Sequence, residues 1–63
     1  MEIGAVYKHK YMGGLTCQIL ALTQKGAKVK ETQLKGKSKK EKQAFYDRID
    51  FHDSEKGIWL KNK

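Results

Sequence analysis

Apolar residues fall in short groups along the chain, separated by glycine-containing or lysine-rich stretches. Ile3 to Lys10 (IGAVYKHK) is rich in β-formers and ends at Tyr11-Met12-Gly13-Gly14, where the glycine pair supplies the positive φ of a tight hairpin turn. Leu15 to Thr23 is a near-continuous apolar run, bounded by glycine on one side and by Gln24-Lys25-Gly26 on the other. A short run flanked by turn signals predicts a central strand buried on both faces. Leu15, Cys17, Ile19 and Ala21 line one face and Leu20 and Leu22 the other, with a bulge near Ile19 as the alternative register. Ala27 to Leu34 (AKVKETQL) alternates, Ala27 and Val29 against Lys28 and Lys30, which is the period of a strand with one wet face. Three strands joined by glycine turns make a meander, and no proline disqualifies any of them.

Residues 38–51 support two readings. Ser38-Lys39-Lys40-Glu41 fits a helix capping box, and Phe45 and Ile49 lie four apart, as on an amphipathic helix over 39–51. Phe45, Ile49 and Phe51 also share one strand parity, and the pair Phe45-Tyr46 favours a strand, which is the preferred reading. Asp53 to Gly57 is then a turn and Ile58 to Lys61 a last short strand, with Ile58 and Leu60 inward and Trp59 on the opposite face. Asn62 and Lys63 are expected to fray. The expected core is Leu15, Cys17, Ile19, Leu20, Val29, Phe45, Ile49 and Leu60, with Tyr7 leaning inward.

The spaced apolar sets Ala5/Tyr7, Leu15–Leu22, Ala27/Val29, Phe45/Ile49 and Ile58/Leu60, with turns at Gly13-Gly14 and Gly26, span almost the whole chain. In this it resembles the SH3-like small-barrel superfold, including its KOW and Tudor-like versions. The resemblance implies a mainly β, five-stranded barrel or meander; the alternative is an α+β domain, a three-stranded meander with one helix at 39–51. The chain lacks the KOW signature and a proline-peptide groove, so ligands of those families do not carry over. Members of the superfold bind RNA, DNA, peptides and modified tails, so the architecture selects no function.

Charge narrows the choice. The chain has 63 residues and a net charge of +7. Residues 1–42 hold ten lysines against Glu2, Glu31 and Glu41, whereas residues 43–63 are balanced, so the whole excess lies in the first two thirds. Five lysines crowd into the segment 34–42 (LKGKSKKEK), expected to be a basic loop of the single domain 1–63. Ammonium groups so dense repel one another until a polyanion neutralises them, although a lysine-rich loop also serves solubility alone. Lys35, Lys37, Lys39, Lys40 and Lys42 are therefore the leading nucleic-acid-binding candidates, extended along the meander by Lys8, Lys10, Lys28 and Lys30. Tyr11 and Trp59 sit beside lysines and are the candidate stacking faces. One arginine supplies little bidentate guanine reading, so the expected binding, to DNA or RNA, is largely without sequence preference.

Other chemistry is poorly supplied. Cys17, the single cysteine, lies in the most apolar segment, where thiols are packed and inert; one unpaired thiol also suits a reducing, cytoplasmic setting. Leu15 to Leu22 is too short to span a bilayer and lacks the features of a secretory leader. His9, among lysines, reads as a surface strand residue. No catalytic residue, cofactor or metal is expected: no phosphate loop, nucleophile elbow or metalloprotease motif occurs, and Asp47 to Glu55 does not follow calcium-loop spacing, although Asp50 and His52 share a strand parity. The rival to nucleic-acid binding is a phage-like or mobile-element interaction module that docks on an acidic protein surface to regulate a host complex. A homodimer pairing through exposed strand edges is a third reading.

Overall fold

The computed structural model describes residues 1–51 and 56–61. The chain is mainly β. Strands β1 (Val6–His9), β2 (Leu15–Leu22), β3 (Gly26–Lys35), β4 (Ser38–Asp47) and β5 (Trp59–Lys61) form one antiparallel sheet in the order β4-β3-β2-β1-β5. The first four make the expected meander, and β5 returns to the free side of β1. The sheet does not close into a barrel, because β4 and β5 stand at its two edges. It curls instead, so that the ring of Tyr46 on β4 meets that of Trp59 on β5 at 5.4 Å between centroids. Among the described residues no helix is long and apolar enough to cross a membrane.

Turn chemistry sets the register. Gly14 takes φ +78°, and its carbonyl accepts a hydrogen bond from Leu34 N at 2.9 Å. His9 Nδ1 closes the same turn from the other side, accepting from the backbone N–H groups of Tyr11 (3.1 Å) and Met12 (3.0 Å). The bulge in β2 is present: Ile19 pairs with Val29 and Ala21 with Lys28, which leaves Leu20 between them without a partner on β3. Gly26, expected in a turn, begins β3, and a Cβ there would lie 2.0 Å from the Tyr46 carbonyl oxygen. It is a close approach of β4, rather than a positive φ, that demands glycine there.

The helix over 39–51 does not form. Residues 38–47 pair one for one with β3, from Lys35↔Ser38 to Gly26↔Asp47. Ten continuous cross-strand pairs outweigh a local capping pattern, and all that remains helical is a 3₁₀ turn, Arg48–Asp50. The loop over 34–42 likewise becomes ribbon, turned by two residues, Gly36 (φ +61°) and Lys37, a glycine-first geometry that suits the sheet twist.

The core is Tyr7, Cys17, Ile19, Ala27, Val29, Phe51 and Trp59. Leu15, Leu20 and Leu60 are half-buried rather than buried. Phe45 and Ile49 are corrections: they are 52 % and 55 % exposed. The pairs Val29↔Ala44 and Ala27↔Tyr46 place Ala44 and Tyr46 with the core, so Phe45 must face solvent. The 3₁₀ turn then resets the parity, which is why Phe51 is buried although Phe45 is not. Trp59 is the other reversal. It pairs with His9, two residues beyond the buried Tyr7, and so shares the inner face, with none of its surface exposed. The expectations for His52 to Glu55 and for Asn62 and Lys63 lie outside the described residues.

Candidate nucleic-acid interface

Strand parity sorts the candidate lysines. Lys8, Lys28, Lys30 and Lys39 occupy positions on the outer face of the sheet, opposite Thr16, Phe45, Gln43 and Leu34 respectively. Lys35, Lys40 and Lys42 share the parity of the core-facing residues, opposite Ser38, Gln33 and Glu31, on the part of the ribbon that runs past the core. Lys37 stands at the turn. Lys10 follows β1, its ammonium 5.6 Å from the centre of the Tyr11 ring, a cation–π distance. The five clustered lysines are thus brought together on one ribbon but not on one face. Ten residues at about 3.4 Å each reach about 34 Å, which accounts for the molecule's longest dimension of 36 Å.

Two carboxylates temper this field. Glu41 lies 3.5 Å from Lys30 Nζ on an exposed surface, where such a pair contributes about 0–1 kcal/mol. Glu31 is different: it is a buried carboxylate, cross-strand from Cys17 and from Lys42. Its Oε1 accepts a hydrogen bond from the Tyr46 hydroxyl at 2.5 Å, and Lys42 Nζ lies 3.6 Å from Oε2. Oε2 has no hydrogen-bond partner among the described residues, and neither has the buried Trp59 Nε1.

Of the aromatic candidates, Tyr11 is exposed and offers a ring face. Trp59 does not, being packed between His9 (5.2 Å between ring centroids) and Tyr46. The solvent-facing aromatic that the sequence reading missed is Phe45, directly opposite Lys28. Its signal was present as the alternation Ala44-Phe45-Tyr46, in which only one parity can face the core.

Cys17 is packed in the core, 1 % exposed. Burial, aided by the Glu31 carboxylate and opposed by a backbone hydrogen bond at Tyr7, pushes its thiol from 9.0 up to about 12. Tyr46 is raised too, by burial and then by its hydrogen bond to Glu31. An unfolded chain therefore releases the Cys17 proton near pH 9 while the folded chain keeps it. The contribution to stability is whole below pH 9 and falls by up to about 1.4 kcal/mol per pH unit as pH rises towards 12. Urea unfolding from pH 8 to 11 is expected to show this decline, and Cys17→Ala to make it shallower. A Cys17→Ala curve parallel to the wild type would contradict the assignment.

Among the described residues no group of three His, Cys, Asp or Glu side chains is arranged to hold a metal ion. Comparison with protein-family models, with curated proteins and with solved structures finds no match to this chain.

Proposed function

We propose that the protein is a small non-enzymatic nucleic-acid-binding protein whose β3–β4 ribbon holds phosphates. The observation that carries this reading is the ribbon itself. It bears Lys28, Lys30 and Lys39 on one face, Lys35, Lys40 and Lys42 on the other and Lys37 at its end, with two glutamates, Glu31 and Glu41, against them. Mutual repulsion of these ammonium groups is relieved by a polyanion, and displaced counterions supply the driving force. Lys8 on the outer face extends the surface, as Lys10 does near the exposed Tyr11, while Phe45 beside Lys28 supplies a ring for stacking on a base. Phosphate contacts carry no base identity, so lysines alone give affinity with little sequence preference. A reducing, cytoplasmic setting accords with one buried, unreactive thiol.

A second reading rests on the outer edge of β4, which no strand covers among the described residues. Its lysines fit an acidic protein segment laid along that edge. The discriminating experiment is titration of the purified, folded protein with unrelated mixed-sequence oligonucleotides at low salt. Binding of similar strength to all of them is expected. Folded protein that binds none rejects the nucleic-acid reading and leaves the edge of β4 as the working surface.

A further inference from the structure

Burying a carboxylate costs free energy unless both of its oxygens find donors. Glu31 meets that condition at Oε1, through Tyr46, but not at Oε2. Glu31 also lines a pocket of about 280 Å³ together with Gln33, Lys40, Glu41 and Lys42. That volume is near the lower end of small-molecule sites, about 300 Å³. The group nearest to satisfying Oε2 is the Lys42 ammonium at 3.6 Å, beyond hydrogen-bond distance. Lys42 reaches in from a side chain that is 75 % exposed, whereas that of Glu31 is 5 % exposed. The acceptor is therefore fixed while its neighbour is free to turn outward.

We infer that this pocket receives one unpaired base of a bound nucleic-acid strand and that Glu31 Oε2 accepts a hydrogen bond from the base's exocyclic amino group. The inference rests on the phosphate-binding reading and adds to it a base preference that lysines cannot supply. Lys40 and Lys42 line the same pocket and hold the adjoining phosphates, and the Gln33 amide can both donate and accept. A carboxylate accepts from the amino group of cytosine, whereas uracil presents a carbonyl oxygen at that position, which a buried acceptor repels. The Tyr46 hydroxyl holds Oε1, which leaves a single acceptor to be matched and makes the preference one for amino-bearing bases rather than for one base.

The test compares 15-nucleotide oligocytidylate with oligouridylate of the same length at neutral pH, for the wild type and for Glu31→Gln. The two strands carry the same phosphates, so the lysine contribution cancels. The wild type should bind the cytidine strand about tenfold more tightly. In Glu31→Gln an amide that can donate stands in place of Oε2, so the preference should vanish or reverse while the salt dependence stays the same. Equal binding of both strands by the wild type, with normal salt dependence, would overturn the base pocket and leave the phosphate reading intact. Absence of binding to either strand at low salt would overturn both. Should Glu31→Gln fail to fold, cytidine and uridine monophosphates added to the wild type decide the matter by NMR. Amide shifts at Glu31 and Gln33 with the first and not the second support the pocket, and shifts alike with both, or with neither, reject it.

Discussion

Truncation of Trp59 to alanine is expected to destabilise the protein more than any other single side-chain truncation, up to unfolding it. The indole has no exposed surface and contacts the rings of His9 and Tyr46, so it joins β5 to β1 on one side and to β4 on the other. Removing a fully buried aromatic of this size costs about 3–5 kcal/mol. A chain of 63 residues commands about 3–9 kcal/mol in all, so the loss takes from about a third to all of it. Phe45→Ala is the control, since it removes a ring that is half in water and touches the stability far less. Urea denaturation followed by circular dichroism separates the two. A Phe45→Ala variant as unstable as Trp59→Ala would mean that the inner and outer faces of β4 are exchanged.

Gly26→Ala is the second large effect. Its Cβ would stand 2.0 Å from the Tyr46 carbonyl oxygen and 2.9 Å from the Asp47 Cα, both backbone atoms of a paired strand that cannot swing aside. Either β4 shifts away from β3, or the pairing of Gly26 with Asp47 and Ala27 with Tyr46 is lost. Overpacking of ordinary side chains costs about 1–3 kcal/mol, and a clash of backbone against a methyl group lies at or above the top of that range. Gly13→Ala, where an added Cβ meets nothing within 4 Å, is expected to be near neutral. Denaturation midpoints for the two variants measure the contrast, and equal midpoints would contradict the close approach.

Much of this fold is legible in the chain. The Gly13-Gly14 pair, the turn signal ending at Gly26 and short apolar runs give the meander, and the run Leu15–Leu22 admits the β2 bulge as one of its two registers. The reversals at Phe45 and Trp59 share one cause. Period-two patterns tell which residues lie together but not which set faces inward, and at β4 and β5 both sets hold large side chains. Phe45 is the more apolar residue by sequence alone, yet Tyr46 is the one that pairs on the inner face, where its hydroxyl finds Glu31 on the neighbouring strand. A buried carboxylate is invisible to hydropathy, which assigns Glu31 to solvent. The lysines were visible as a group, but not their division between two faces, because that depends on a two-residue turn at Gly36-Lys37 rather than a long loop.

If the ribbon lysines hold phosphates, the slope of log affinity against log salt must reflect them. Lys37, Lys39 and Lys40 sample the turn and both faces of the ribbon. Changing all three to alanine removes three phosphate contacts, each contributing about 0.9 to that slope on duplex and about 0.7 on single strands. The expected slope is shallower by about 2–3 units, with similar weakening on unrelated mixed sequences. A folded triple variant that binds with the wild-type slope would show that these lysines do not hold phosphates.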